Sequence, residues 1–470
     1  MNASKTHSLE LDLEECRRRL MHSPPSLDVV APCTKRKGVQ VWSKEEVDGW
    51  VAEWQKRPIA PEECGLWIPA SGAATRMFAP LTQDASMRNK LWTSADSLAL
   101  GKAWEREVHD RHGALDQVGP DEATEVLMDM MDGGQFPKGL VPFHVVPTQN
   151  APHASETVES AFEAHLRFWA LVAPQGSGVW FTVPPSHKAA IHGHLAKRCD
   201  ENRMTLHLPI QDAATNMPAL DVNDEWIRDE HGELLTRPGG HGALLPLLEN
   251  VDASLVLIRN IDNAPSPHRT GERLRWTQAM LAVARTLGEE RDALLRNMDK
   301  EDADKSRAAT WASQFLFSDP AQVHTWSMEE LKDWLDRPVR VVGVVRNDGQ
   351  PGGGPFWVRC GQGKDEGKIL PQIVESIELG TSHADLVAEA THFNPVDMAC
   401  ALRPGQALTP FIDSTRYLKT EKRFGGQRAK VLEHPGLWNG SMSGWLTIFV
   451  EIPSACFQPV KSVMDLIDRS

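Results

Sequence analysis

The sequence contains no apolar run near the roughly 18 residues that a membrane span requires, and no lysine- or arginine-rich block. The first absence predicts a protein that does not cross or anchor in a membrane. The second, with a formal net charge of −14, argues against general nucleic-acid binding. The opening Met1-Asn-Ala-Ser-Lys5 lacks the apolar core of a secretory signal. Seven cysteines, at 16, 33, 64, 199, 360, 400 and 456, include no CxxC pair. That pattern predicts scattered, reduced thiols of a cytoplasmic protein, not a disulfide frame or a zinc site. No P-loop is present either: Pro351-Gly-Gly-Gly-Pro355 lacks the Gly-Lys-Ser/Thr ending and reads as a loop. What remains, 41% hydrophobic and 24% charged residues in a chain of 470, is the composition of an ordinary globular protein. The length suits two or three domains, or one large α/β domain with insertions.

Taken in order, residues 1–60 read as an N-terminal helical arm, with a capping box at Ser43-Lys-Glu-Glu46. Pro58 and Pro61 separate it from the remaining 61–470, read as one catalytic domain with helical insertions at about 80–132 and 266–338. The first insertion, Pro80 to Met131, has the polar composition of solvated helices outside the core. Ser155-Glu-Thr-Val158 is expected to open a helix with Val158, Phe162, Leu166 and Trp169 on one face. Val179–Val183, Leu255–Ile258, Val339–Val345 and Leu446–Ile452 are strand-like, and Ser327-Met-Glu-Glu330 caps a further helix. Strand, helix, strand in this rhythm predicts an α/β sheet with parallel pairs.

The organising stretch is Gly65-Leu-Trp-Ile-Pro-Ala-Ser-Gly-Ala-Ala-Thr-Arg-Met-Phe78. An apolar strand ends in small residues, Ser71, Gly72 and Ala73, then Thr75 and Arg76. Small side chains let backbone N–H groups approach an anion, a following helix start adds positive potential, and Arg76 adds a charged fork. The plainer alternative is a tight turn. About sixty residues on, Phe136-Pro-Lys-Gly139 holds Lys138 in an apolar, Pro-flanked setting.

Other patches carry polar chemistry. Gln211, expected at the end of a short strand from His207, has an amide able to read a base edge. In Arg237-Pro-Gly-Gly-His-Gly242, Gly240, His241 and Gly242 form either a ligand-approach loop or a simple turn. Asp262 in Asn260-Ile-Asp-Asn263 is a candidate Mg²⁺ ligand or a local turn-former. Glu375 ends an apolar strand, where a carboxylate needs solvent, a ligand or a partner such as an arginine. His392-Phe-Asn394-Pro-Val-Asp397 is the last patch. Ile191-His-Gly-His194 is metal-like, but two positions apart on a helix face different ways.

In order, these patches resemble the motifs of the UDP-sugar pyrophosphorylase family of UTP:sugar-1-phosphate uridylyltransferases. The arrangement is closer still to a bacterial family of uncharacterised proteins related to those enzymes. Phe457-Gln-Pro-Val-Lys461 is similar to the family's F-x-P-[VL]-K element, Ile373-Val-Glu375 to its IVE strand, and Phe393-Asn394 to its FN element. Pro238–Gly242 resembles its P-P-G-H-G loop, Asn260–Asn263 its N-x-D-N turn, and Pro137-Lys-Gly139 its P-K-G. Ser71–Arg76 stands where the family has G-G-x-G-T-R, with Ala70-Ser71 replacing the first glycine pair, and Asn394 is followed by Pro395, not a second asparagine.

The resemblance implies a GT-A-like (Rossmann-like) fold with a mixed, mainly parallel sheet flanked by helices. It implies a reaction of UTP, or another NTP, with a sugar 1-phosphate to give an NDP-sugar and pyrophosphate, with Mg²⁺. By it, Arg76, Lys138 and Lys461 neutralise phosphates, and Asp262 holds the metal. Ser71, Gly72, Ala73, Thr75, Gln211, Gly240, His241 and Gly242 bind the nucleotide; Asn263, Glu375 and Asn394 bind the sugar. A non-catalytic sugar-nucleotide sensor on the same fold is the alternative. The altered first loop favours the sensor, and retention of all three cations favours the enzyme. Which sugar, which NTP and what oligomeric state are open at this level.

Overall fold

The computed structural model describes residues 12–70, 72–147, 156–298, 302–316, 323–349, 352–361, 363–380, 383–424 and 427–469. It divides into two compact units, each assembled from three stretches: 1–58, 211–257 and 278–453 in the first; 59–210, 258–277 and 454–470 in the second. The strand Leu255–Arg259, buried at every position, carries the chain from one unit into the other. Among the described residues no helix is long and apolar enough to cross a membrane.

In the first unit, Gly38–Gln40, Leu446–Glu451 and Val339–Arg346 run parallel, and His392–Ala401 joins the last of them antiparallel. Val339–Val345 is a continuous buried run, as expected for a strand covered on both faces. Opposite it the register slips twice, so Asn394 falls between the pairs Val345–Phe393 and Val344–Pro395. Its backbone therefore bulges; its side chain lies outside the described residues. Two smaller antiparallel sheets belong to the same unit: Asp28–Pro32, Gly354–Arg359 and Ile369–Val374, and the four-stranded set of Thr236–Pro238, Asn216–Leu220, Gln427–Glu433 and Leu418–Phe424. The N-terminal arm is thus helical only in part, since Leu13–Met21 and Lys44–Lys56 flank short strands. The Ser43–Glu46 and Ser327–Glu330 capping boxes form as expected.

The second unit has a fully parallel set, Cys64–Pro69, Gly178–Thr182 and Thr205–His207. The helix expected from Ser155 starts later. Glu156–Ser160 pairs as a strand with Pro142–Pro147, and the capping box is Ser160 with Glu163, opening Ala161–Val172. Ser155 itself lies outside the described residues.

The stretch 80–132 is helical, but its apolar minority is buried and not peripheral. Leu91, Trp104, Val108 and Leu127 share one core with Met77, Phe78 and Leu81, and with Val460, Val463 and Leu466. Polar residues cover the outer faces of these helices. Composition alone hid the core beneath.

Candidate functional site

The loop after Cys64–Pro69 and the Pro137-Lys-Gly segment, distant in sequence, are tied together in the second unit. Ala74 N–H donates to Phe136 O at 2.9 Å, Lys138 N–H to Gly72 O at 3.3 Å, and Thr75 Oγ1 to Gly134 O at 3.1 Å. Gly134 has φ +89°, and a Cβ there would stand 3.2 Å from the Thr75 backbone, so glycine permits the seam. At Gly139 a Cβ would fall 2.3 Å from the Phe162 ring. Gly72, Ala73, Thr75 and Arg76 are exposed, and Thr75 and Arg76 begin the helix Thr75–Gln83, whose N-cap Ala74 supplies no side-chain hydrogen bond. First-turn N–H groups left in this way suit an anion. Ser71 lies outside the described residues.

Lys138 points to Asp262, with Nζ 3.5 Å from Oδ2 and the two side chains 16% and 26% exposed. Burial, helped by the nearby Lys461 ammonium, holds the Lys138 ammonium below its ordinary value against the pull of Asp262 and Asp465. The segment bearing Lys461 is clamped from the turn that carries Asp262. Val460 N–H donates to Asp262 O at 2.9 Å, Gln458 N–H to Asn263 Oδ1 at 2.9 Å, and Asn263 Nδ2 to Cys456 O at 3.3 Å. Asn263 is only 1% exposed, so the side chain that the resemblance assigns to a sugar is engaged in holding backbone. Asp465 accepts from the Lys461 and Ser462 N–H groups at 2.9 and 2.7 Å. The sequence reading missed it, although Ser462-x-x-Asp465 is a cap-like spacing.

Among the described residues no three His, Cys, Asp or Glu side chains converge as metal ligands. Asp262 offers one carboxylate, partly exposed and facing an ammonium. That donor set fits Mg²⁺ only as an ion that brings phosphate oxygens and water for most of its shell.

The remaining candidates lie in the first unit. Leu437 N–H donates to His241 Nδ1 at 2.9 Å, so a neutral imidazole carries its proton on Nε2, which stands 3.6 Å from Glu375 Oε1. The imidazole beside it, opposed by burial, holds the Glu375 carboxyl below its usual range. The partner that the sequence reading sought in an arginine is this histidine. Arg416 instead binds Glu378, at 2.7 and 2.9 Å, Gln372 Oε1 at 2.6 Å and Ile373 O at 2.8 Å. Glu378 also accepts from the Glu375 N–H and from Asn439 Nδ2, both at 2.8 Å. These fasteners had no local sequence signal.

The glycines of the Pro238–Gly242 loop meet the protein itself. A Cβ on Gly242 would lie 1.9 Å from Pro435 O, and one on Gly240, at φ +80°, 2.8 Å from Glu433 Oε2. Gln211 lies beyond the strand Thr205–His207, not at its end, and its amide nitrogen donates to Thr215 Oγ1 at 2.9 Å.

A family model described as "Domain of unknown function (DUF4301)" matches residues 3–470. The chain belongs to this family. No curated protein matches this DUF4301 chain. Among solved structures it is similar to the uridine diphosphate N-acetylglucosamine pyrophosphorylase of Trypanosoma brucei in complex with inhibitor, at 12% identity and TM-score 0.47, over 93% of this chain and 72% of that one. It is also similar to a point mutant of Leishmania major UDP-glucose pyrophosphorylase in complex with UDP-glucose, at 11% identity and TM-score 0.44, over 98% and 72%.

Proposed function

We propose that this protein is a nucleotidyltransferase that joins UTP, or another NTP, to a sugar 1-phosphate with release of pyrophosphate, on a GT-A-like arrangement. The observation that carries the reading is the seam between residues 72–75 and 134–138, which sets Lys138 beside Asp262 and close to Lys461. The order of the motifs along the chain supports it independently.

In this reading a sugar-phosphate oxygen attacks the α-phosphorus. The bond from that phosphorus to the bridging oxygen breaks, and pyrophosphate leaves with the electron pair. The attacker is already an anion, so no general base is needed. The contribution of the protein is alignment and charge neutralisation. The backbone N–H groups that open the Thr75–Gln83 helix and the exposed Arg76 guanidinium receive the triphosphate. Lys138, depressed by burial, regains favourable surroundings when phosphate arrives. Lys461 neutralises the incoming phosphate and the charge that builds at phosphorus. Mg²⁺ held at Asp262 would supply further neutralisation of phosphate oxygens. Asn263 and Asp465 position the Lys461 segment.

The test is pyrophosphate release from purified protein over a panel of NTPs and sugar 1-phosphates, beside Lys138→Ala and Lys461→Ala. Turnover with one pair, lost in both variants, is expected. Tight binding of a UDP-sugar with no turnover for any pair would replace the enzyme by a sensor. The absence of both binding and turnover would overturn the reading.

A further inference from the structure

Two buried guanidiniums hold the neighbourhood of Glu375 and His241 in the first unit. Arg416 fastens the strand that ends at Glu375, as described above. Arg340, fully buried, donates to Trp438 O at 2.7 Å and to Thr447 Oγ1 at 2.8 Å, and among the described residues no carboxylate is one of its hydrogen-bond partners. Burial pushes its guanidinium down to about 9. A buried cation without a counter-ion is a costly way to hold one carbonyl. The loop it holds is tight: Asn439 and Ser441 N–H both return to Gly436 O, and Ser441 Oγ donates to Pro435 O.

What that loop presents is the Trp438 side chain. The indole is half-buried, its ring centroid 6.3 Å from that of His241 at 33° between planes, and its N–H has no hydrogen-bond partner among the described residues. One place therefore combines a rigidly mounted aromatic face, a free indole N–H, an imidazole N–H and an acceptor-only carboxylate. A pyranose matches this set. Its ring C–H face is apolar enough to lie on an indole, and its hydroxyls both accept and donate.

We propose that Trp438 is the sugar platform of this protein, a specificity-determining residue that binds the pyranose ring of the substrate or product beside Glu375. The proposal rests on the sugar-nucleotide reading given above.

The experiment is calorimetric titration of full-length wild type, Trp438→Ala and Trp438→Phe with UDP, UDP-glucose and UDP-N-acetylglucosamine, with melting curves as the folding control. Wild type is expected to bind at least one UDP-sugar more tightly than UDP. Trp438→Ala should weaken that UDP-sugar by roughly tenfold, with UDP unchanged within about twofold. Trp438→Phe, which keeps a face and loses the N–H, should fall between the two and remain folded if alanine does not. UDP-sugar affinity preserved in both variants overturns the platform and leaves the function standing. Equal weakening of UDP and UDP-sugar in the folded Phe variant also overturns it, because the indole would then serve the nucleotide. Wild type that binds no member of the panel removes the reading and the platform together.

Discussion

Replacing Asn263 by alanine separates two roles for the turn that follows Leu255–Arg259. As a sugar ligand, Asn263 would contribute to substrate affinity; as a clamp, it holds the segment that ends at Lys461. Truncation removes the acceptor of Gln458 N–H and the donor to Cys456 O. Each orphaned group costs about 1–3 kcal/mol when buried. Val460 N–H still reaches Asp262 O, which limits the total to about 2–4 kcal/mol. A unit of about 190 residues shifts by roughly 2–4 °C per kcal/mol, so Tm should fall by about 5–15 °C. Lys461 lies three residues beyond Gln458 and would lose its fixed place. The expected kinetic signature is a lower kcat with the sugar-phosphate KM held within about twofold. Asn263→Asp is a sharper probe. It can keep the bond from Gln458 N–H but sets a second carboxylate oxygen against the Cys456 carbonyl, so it should destabilise at least as much as alanine at neutral pH. Thermal melts and steady-state kinetics on both variants decide the matter. A wild-type Tm with a raised sugar-phosphate KM would refute the clamp.

Lys461→Ala should lower kcat by roughly 10²–10³-fold with the fold intact, the scale of one lost transition-state charge contact, and an unchanged rate removes Lys461 from the chemistry. Gly242→Ala would press a methyl to 1.9 Å from Pro435 O and should cost about 1–3 kcal/mol or more, read as a lowered Tm. An unshifted melt would mean that the loop is not seated on Glu433–Pro435. Burial raises the Glu163 carboxyl, but the His194 imidazole and the Ser160 N–H more than offset this and bring it from 4.5 down to about 2. A depressed carboxylate stabilises the fold above its unfolded value, so this contribution is present above about pH 4.5 and lost as pH falls towards 2. Urea midpoints against pH for wild type and Glu163→Gln check it: the variant should lack that part of the acid sensitivity.

The features that were legible in the sequence are those encoded within a few residues. The Ser43–Glu46 and Ser327–Glu330 boxes satisfy their own N–H groups, and Val339–Val345 announces a buried strand by its valines, with Arg340 as the one charged exception. The small-residue loop and the Pro-flanked Lys138 suggested a common role, but the hydrogen bonds that join the 72–76 and 134–138 segments span about sixty residues and leave no periodic trace. The same holds for Arg416 with Glu378, for Arg340 with the Trp438 carbonyl, and for the Asn263 clamp. The small size required at Gly240 and Gly242 has a similar origin, since residues 433–435, far along the chain, leave no room there for a side chain. At Ser155 a plausible cap was outcompeted by Ser160, whose Glu163 completes the reciprocal pair.

The discontinuous build of the second unit has a consequence for how the protein is made. Residues 59–210 leave the ribosome with the Met77, Phe78 and Leu81 face formed from local helices, but Val460, Val463 and Leu466, which complete that core, are translated only after the whole of the first unit. For that interval the nascent chain carries an uncovered apolar bed, the kind of surface that holdase chaperones bind and that aggregates when they are scarce. Closing it requires a contact of very long sequence separation, which is slow. A ribosome-bound chain stalled before residue 454 would therefore display this bed and lack Lys461, whereas the completed chain gains the cover and the lysine in the same docking step.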